Sequence, residues 1–157
     1  MGARAWLGLA LACALMGCSA PARMGKFVLI APFEGEAREV GYNAVYAVRL
    51  ALQDAGSPLI LLSLDDGGRL DYTLERARAL AYDTSVQAIL VLGDHATTPQ
   101  TLDALAGQTV FVVLRDDAPM TDEVFEARFL ASALYPPPPT MTAYNAYAVA
   151  LEALQAR

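Results

Sequence analysis

The chain has 157 residues, enough for one ordinary domain and too few for two. Its hydrophobic fraction is 55% and its charged fraction 18%, so it buries a core and is not a disordered tail. A formal net charge of −6 with few cations argues against nucleic acid as a partner.

Residues 1–17 carry one charge, Arg4, ahead of an apolar stretch over residues 5–16. A basic start, about a dozen apolar residues and a small residue before the cut predict a secretory signal, too short to span a bilayer in the usual way. The tetrapeptide Leu15-Met16-Gly17-Cys18 resembles the lipobox of bacterial lipoproteins, which implies that Cys18 becomes the lipid-modified first residue of an exported protein held at the cell envelope. An ordinary cleaved signal and an uncleaved anchor are the alternatives. Several acyl chains on one residue would hold firmly, since each buried methylene is worth about 0.8 kcal/mol. Cys13 leaves with the signal, so the mature domain is expected to lack a thiol for a disulfide, a zinc site or nucleophilic catalysis. The cut also removes Arg4 and no acid, taking the formal charge from −6 to −7. Residues 18–25 then form a short tether to a domain over residues 26–157.

Phe27-Val28-Leu29-Ile30 is a short apolar run, punctuated by Pro32 and Gly35, and reads as a buried strand followed by a loop. From Val40 the spacing changes: Val40, Ala44, Ala47, Val48, Ala51 and Leu52 fall on one stripe of a helix that Gly56 and Pro58 close. Residues 59–64 read as a second buried strand, ending in the turn Asp65-Asp66-Gly67-Gly68. Strand, loop, helix, turn and strand make a βαβ unit, whose crossover between parallel neighbours is right-handed. A second helix over 72–82 places Leu74, Ala77, Leu80 and Ala81 inward and Glu75, Arg76 and Arg78 outward. Residues 86–92 give a third strand, and Thr98-Pro99 reads as the cap and first residue of a short helix reaching Ala106. Residues 110–114 give a fourth strand after Gly107.

This pattern predicts an α/β fold, a three-layer Rossmann-like parallel sheet of about four strands in the order 2-1-3-4 with helices on both faces. The βα core covers residues 26–115. Beyond the polar break Arg115-Asp116-Asp117-Ala118-Pro119, a helix over 121–135 is expected, with Val124, Phe125, Arg128, Phe129 and Ala133 near one side. The prolines 136–139 force an extended connector, either a stiff link between helices or a proline-rich ligand for another protein. A last helix over 142–155 carries Tyr144, Tyr147, Ala148, Leu151 and Leu154 at helical spacing.

The run Ala31-Pro32-Phe33-Glu34-Gly35, then Gly41, then Arg49-Leu50-Ala51-Leu52 resembles the first strand, loop and helix of the type I periplasmic binding proteins, the branched-chain amino-acid-binding kind that serves ABC transporters. The similarity continues through Asp65-Asp66, Ala77-Arg78-Ala79-Leu80, Val86-Gln87-Ala88-Ile89, Gly93 and Thr97-Thr98. Phe125-Glu126-Ala127-Arg128-Phe129 and Ala143-Tyr144-Asn145-Ala146 are similar to the late helices that return to the same lobe. The resemblance implies the N-terminal lobe only. The stretch that would supply the second lobe is missing between about Asp117 and Thr121, and half a pocket does not enclose a ligand as the whole clamshell does.

In an open parallel sheet, ligands bind beyond the carboxyl ends of the strands, where the strand order reverses. The candidate residues there are Phe33, Glu34, Asp94, His95, Thr97, Thr98 and Arg115. The resemblance implies that Thr97 and Thr98 take a ligand carboxylate, and free N–H groups at a helix start favour an anion there too; capping alone also explains the Thr-Pro pair. His95 beside Asp94 invites an acid–base pair, but no nucleophile accompanies them, and an incidental surface histidine is the plainer reading. Asp65, Asp66, Asp71 and Asp94 lack the spacing of an EF-hand loop and read as turn residues. No glycine fingerprint for phosphate follows the first strand, so no nucleotide cofactor is expected. Together these readings predict a non-enzymatic, lipid-anchored solute-binding domain without a cofactor, working with a transporter permease, an envelope protein or a second copy of itself. The alternative is a receptor lobe turned interaction or scaffold module.

Overall fold

The structure, a computed structural model, describes residues 24–156. Cys18, the signal and most of the tether lie outside the described residues. Nine elements follow in order: β1 (Lys26–Ala31), α1 (Arg38–Asp54), β2 (Ile60–Asp65), α2 (Leu70–Ala81), β3 (Val86–Val91), α3 (Pro99–Ala104), β4 (Val110–Val112), α4 (Glu123–Ala131) and α5 (Met141–Gln155). The four strands form one parallel sheet in the order β2-β1-β3-β4. The expected α/β class and strand order are both present.

Alternation along the central strands divides the core in two. Phe27 and Leu29 of β1, with Ala88 and Leu90 of β3, face α1, α4 and α5; Val28 and Ile30, with Ile89 and Val91, face α2 and α3. Both central strands are therefore apolar on both faces, and burial of each large side chain contributes roughly 1.5–3 kcal/mol. The sheet edges differ. β2, expected to be fully buried, is half-exposed with Ile60 and Ser63 in solvent, because an edge strand has a neighbour on one side only. β4 is three residues long, shorter than the five expected, and Leu114 beyond it is exposed.

The most extensive helix pairing among the described residues is between α1 and α5. Its buried stripe on α5 is Thr142, Ala143, Ala146, Ala150 and Ala153, facing Ala44, Ala47 and Ala51 of α1. The sequence pattern pointed instead to Tyr144, Tyr147 and the leucines. Small residues let two helices approach closely, and the larger side chains then flank the contact, as Leu151 and Leu154 do. α5 is pinned to the end of β4: Thr142 Oγ1 donates to Asp116 O (2.9 Å) and accepts from Asp116 N (2.8 Å), and Asn145 Nδ2 donates to Leu114 O (3.1 Å). The proline run connects α4 to α5 and ends at an antiparallel bridge between Pro119 and Thr140. α4 is shorter than the expected 121–135, and Val124, placed inward by the sequence reading, is 72% exposed; Phe125 and Phe129 alone are buried on it.

At the opposite end of the sheet, Lys26 Nζ bonds Asp83 Oδ2 at 2.8 Å while Ser85 N and Oγ donate to Asp83 Oδ1 at 2.9 and 2.5 Å. The Lys26 bond first, and Ser85 second, hold the Asp83 carboxyl well below the usual carboxylate range. A depressed folded pKa adds stability that is present above the unfolded value near 3.8 and is lost as pH falls through the folded one. Asp83→Asn is therefore expected to lower the urea midpoint at neutral pH and to shrink its drop between about pH 5 and about pH 2. An acid limb identical to that of the parent would exclude Asp83 as a contributor.

Candidate functional site

The chain leaves β1 toward β2 on one side and β3 toward β4 on the other, so the order reverses between β1 and β3. Loops diverging from two adjacent strand ends leave a crevice there. It is occupied by a groove of about 300 Å³ lined by Pro32, Glu34, Asp66, Gly93, Asp94, His95, Arg115 and the entry to α1. Gly93 keeps its floor open: its φ is +102°, and a Cβ there would meet Pro32 Cδ at 3.0 Å and Asp66 Oδ2 at 3.4 Å.

Asp66, just past the end of β2, forms one wall, and Asp65 beside it braces the loops. Asp65 ties two loops together, with Oδ1 accepting from Phe33 N (2.7 Å) and Oδ2 from Gly67 N (3.0 Å). Asp66 is only 2% exposed; its Oδ1 accepts from Gly68 N (2.8 Å), while its Oδ2 receives no hydrogen bond from the described residues and borders the groove beside Gly93. That oxygen is not sealed from solvent, so a donor from outside the chain can reach it through the groove. Across the groove, Arg115 donates through Nε (2.9 Å) and Nη2 (2.6 Å) to Asp117 Oδ2. Those bonds, and the nearby Asp94 charge, raise the Arg115 guanidinium above its ordinary value, and the same pairing lowers Asp117. The N-terminus of α1 opens on the groove as well; Ala37 at its cap offers no side chain, and the Arg38 and Val40 N–H groups bond Gly35 O (3.5 Å) and Ala37 O (3.0 Å).

Of the residues singled out from sequence, Glu34, Asp94, His95 and Arg115 are brought together on this groove. Phe33 stands beside it, its ring edge-on to Tyr42 with centroids 5.9 Å apart and its N–H bonded to Asp65. Thr97 and Thr98 turn away from the lining. Thr97 Oγ1 donates to Gly93 O (2.9 Å), and Thr98 Oγ1 accepts from Thr101 N (3.2 Å) as the cap of α3. No hydrogen bond joins the side chains of Asp94 and His95; the His95 carbonyl accepts from Thr98 and Thr101. Asp66, read from sequence only as a turn residue, was missing from the candidate ligand-binding residues. Its place at a strand end was readable, but which of two adjacent aspartates turns inward depends on the Gly67-Gly68 turn, both of whose φ angles are positive.

A larger groove of about 690 Å³ lies on the far side of Glu34, lined by Asp65, Arg69, Asp71, Tyr72, Arg76 and Arg78 among others. Arg69 holds Asp71 there in an exposed ion pair, and Arg76 donates through Nη2 to the Tyr72 hydroxyl at 2.6 Å while its buried Nε has no partner among the described residues. It lies over an edge strand, away from the reversal of strand order. The smaller groove is the better candidate by position, since it sits at the reversal of strand order and is lined there by Asp66 and Gly93. Among the described residues no group of three or more His, Cys, Asp or Glu is arranged to hold a metal ion, and no helix is long and apolar enough to cross a membrane. No protein-family model matches the chain, and no curated protein sequence matches it.

Proposed function

We propose that the chain is a lipid-anchored, extracytoplasmic solute-binding domain, resembling one lobe of a type I periplasmic binding protein, that takes a small zwitterionic solute such as an amino acid and serves transport rather than catalysis. The observation that carries this reading is Asp66, a nearly buried carboxylate whose Oδ2 faces the groove beside Gly93, at the reversal of strand order. An ammonium group fits that oxygen, with Glu34 and Asp94 adding negative charge around it. A carboxylate on the same solute fits the N-terminus of α1 and the Arg115 side. The cavity volume suits a molecule of a few carbon atoms and sits at the lower end for ligand pockets. Delivery to an ABC-transporter permease is the task that the resemblance implies.

Isothermal titration of residues 19–157 against amino acids, small amines and small carboxylates tests this. Amino acids are expected to bind in the millimolar range or better, and Asp66→Asn to weaken binding at least about tenfold, the loss expected for one charge-assisted hydrogen bond. Absence of any binding at millimolar concentration would remove the solute reading. A second reading, an interaction module, is favoured by one observation: Val124, Leu134 and Tyr135, at and just beyond α4, are 72%, 85% and 84% exposed. Under that reading light scattering detects a reversible dimer that Leu134→Ser with Tyr135→Ser abolishes; a strict monomer removes self-association.

A further inference from the structure

The rim at the amino ends of the strands has the opposite character to the groove. The described chain begins at Met24, which is 65% exposed, and runs directly into β1. Tyr82, at the C-cap of α2, is 87% exposed. Both belong to the same rim, because Lys26 N donates to Ser85 O (2.8 Å), Lys26 Nζ pairs with Asp83, and Met24, Lys26, Asp83 and Ser85 line one shallow cavity. Ile60, 45% exposed, starts the neighbouring strand, and its N–H bonds Gly25 O at 3.0 Å. The rim thus shows two large apolar side chains and a tyrosine, and its lysine is already neutralised by Asp83.

We infer that this rim, through Met24, Ile60 and Tyr82, rests on the lipid surface, so that the groove opens away from the membrane. The inference rests on the proposed lipid anchor at Cys18. Five residues lie between Cys18 and Met24, and the six steps from one to the other reach at most about 20 Å when fully extended. A tether that short keeps the amino ends of the strands beside the bilayer. All four strands run the same way, so the groove lies a full strand length further out, about 20 Å for the six residues of β1. Tyrosine is suited to the boundary, with an apolar ring to bury and a hydroxyl to leave among headgroups. The carboxyl ends of α1 and α2 also point to this rim and carry partial negative charge, so the contact is apolar and does not need anionic lipid.

Single-cysteine variants report the orientation cleanly, because Cys18 is acylated and Cys13 is removed in the mature form. Fluorophores are placed at Tyr82→Cys and Thr84→Cys on the rim and at Glu34→Cys and Glu36→Cys at the groove, in the lipidated chain on neutral phosphatidylcholine vesicles carrying a headgroup quencher. Rim labels are expected to be quenched at least about threefold more than groove labels, with little change when a third of the lipid is anionic. Equal quenching at both ends, or the reverse order, overturns the orientation. Sedimentation of the vesicles separates the two ideas: a parent chain that stays in the supernatant, as Cys18→Ala should, removes the anchor and this inference with it. A sedimenting chain with equal quenching removes the orientation alone.

Discussion

Replacing Phe129 by alanine is expected to cost about 3–5 kcal/mol, the usual range for deleting a fully buried aromatic side chain. Phe129 is 0% exposed and lies in the larger of the two half-cores, with its ring 6.3 Å from Tyr46 of α1 and 5.9 Å from Phe125. α4 has only two buried side chains, Phe125 and Phe129, so one substitution removes half of what holds it. Its other tie is at the surface, where Arg128 and the Tyr147 hydroxyl both meet Asp54. Burial works against the Asp54 charge, yet Tyr147 and Arg128 together keep its carboxyl below the ordinary range. An exposed network of that kind contributes little beside a lost aromatic ring. Urea unfolding checks the expectation. A drop under about 1 kcal/mol, with α4 amides exchanging freely in both proteins, would mean that α4 is peripheral and that the fold ends with the sheet and α5. Val124→Ala on the same helix should stay within about 0.5 kcal/mol of the parent.

The difference between these two positions also shows what the sequence could and could not tell. β1 and β3 were readable because both faces of a central strand are apolar, and Phe27 to Ile30 satisfies both half-cores at once. The order of strands followed from the alternation of strands and helices. Edge exposure did not: the apolar run over 59–64 looks as hydrophobic as its neighbours, and only its position beside a single partner leaves Ile60 in solvent. α4 offered no clean stripe, and Val124 and Phe125, adjacent in sequence, lie at nearly opposite ends of the range of burial. On α5 the bulky residues drew attention, whereas close approach to α1 selected the alanines.

The site was legible to the same degree. Glu34, Asp94, His95 and Arg115 could be placed at the strand ends because a parallel sheet puts every such loop on one side. Thr97 and Thr98 follow from the same rule yet face their own loop, since a Thr-Pro cap has a nearer partner for its hydroxyl than any solute. Asp66 was not legible in this way, because its burial is set by the approach of Gly93 and by a turn through two glycines.

Gly41→Ala is expected to destabilise the protein by about 2 kcal/mol, with the opposite sign to the usual effect of this change in a helix. Inside an exposed helix alanine gains about 1 kcal/mol over glycine. Gly41 lies in the first turns of α1, where a Cβ would fall 1.9 Å from Pro32 O, 2.7 Å from Pro32 C and 3.0 Å from Phe33 Cδ1. Two of these three atoms are backbone, so no rotamer change relieves the contact, and either α1 or the loop after β1 must move. Overpacking of this kind costs about 1–3 kcal/mol and sometimes more, which outweighs the gain in helix propensity. The displaced loop carries Pro32 and Glu34, two walls of the groove, so the same substitution is expected to weaken solute binding about tenfold even where the protein stays folded. Urea midpoints and isothermal titration on one preparation read both effects. A stabilised Gly41→Ala protein would mean that α1 does not pack on the Pro32 carbonyl, and the groove described between them would have to be redrawn.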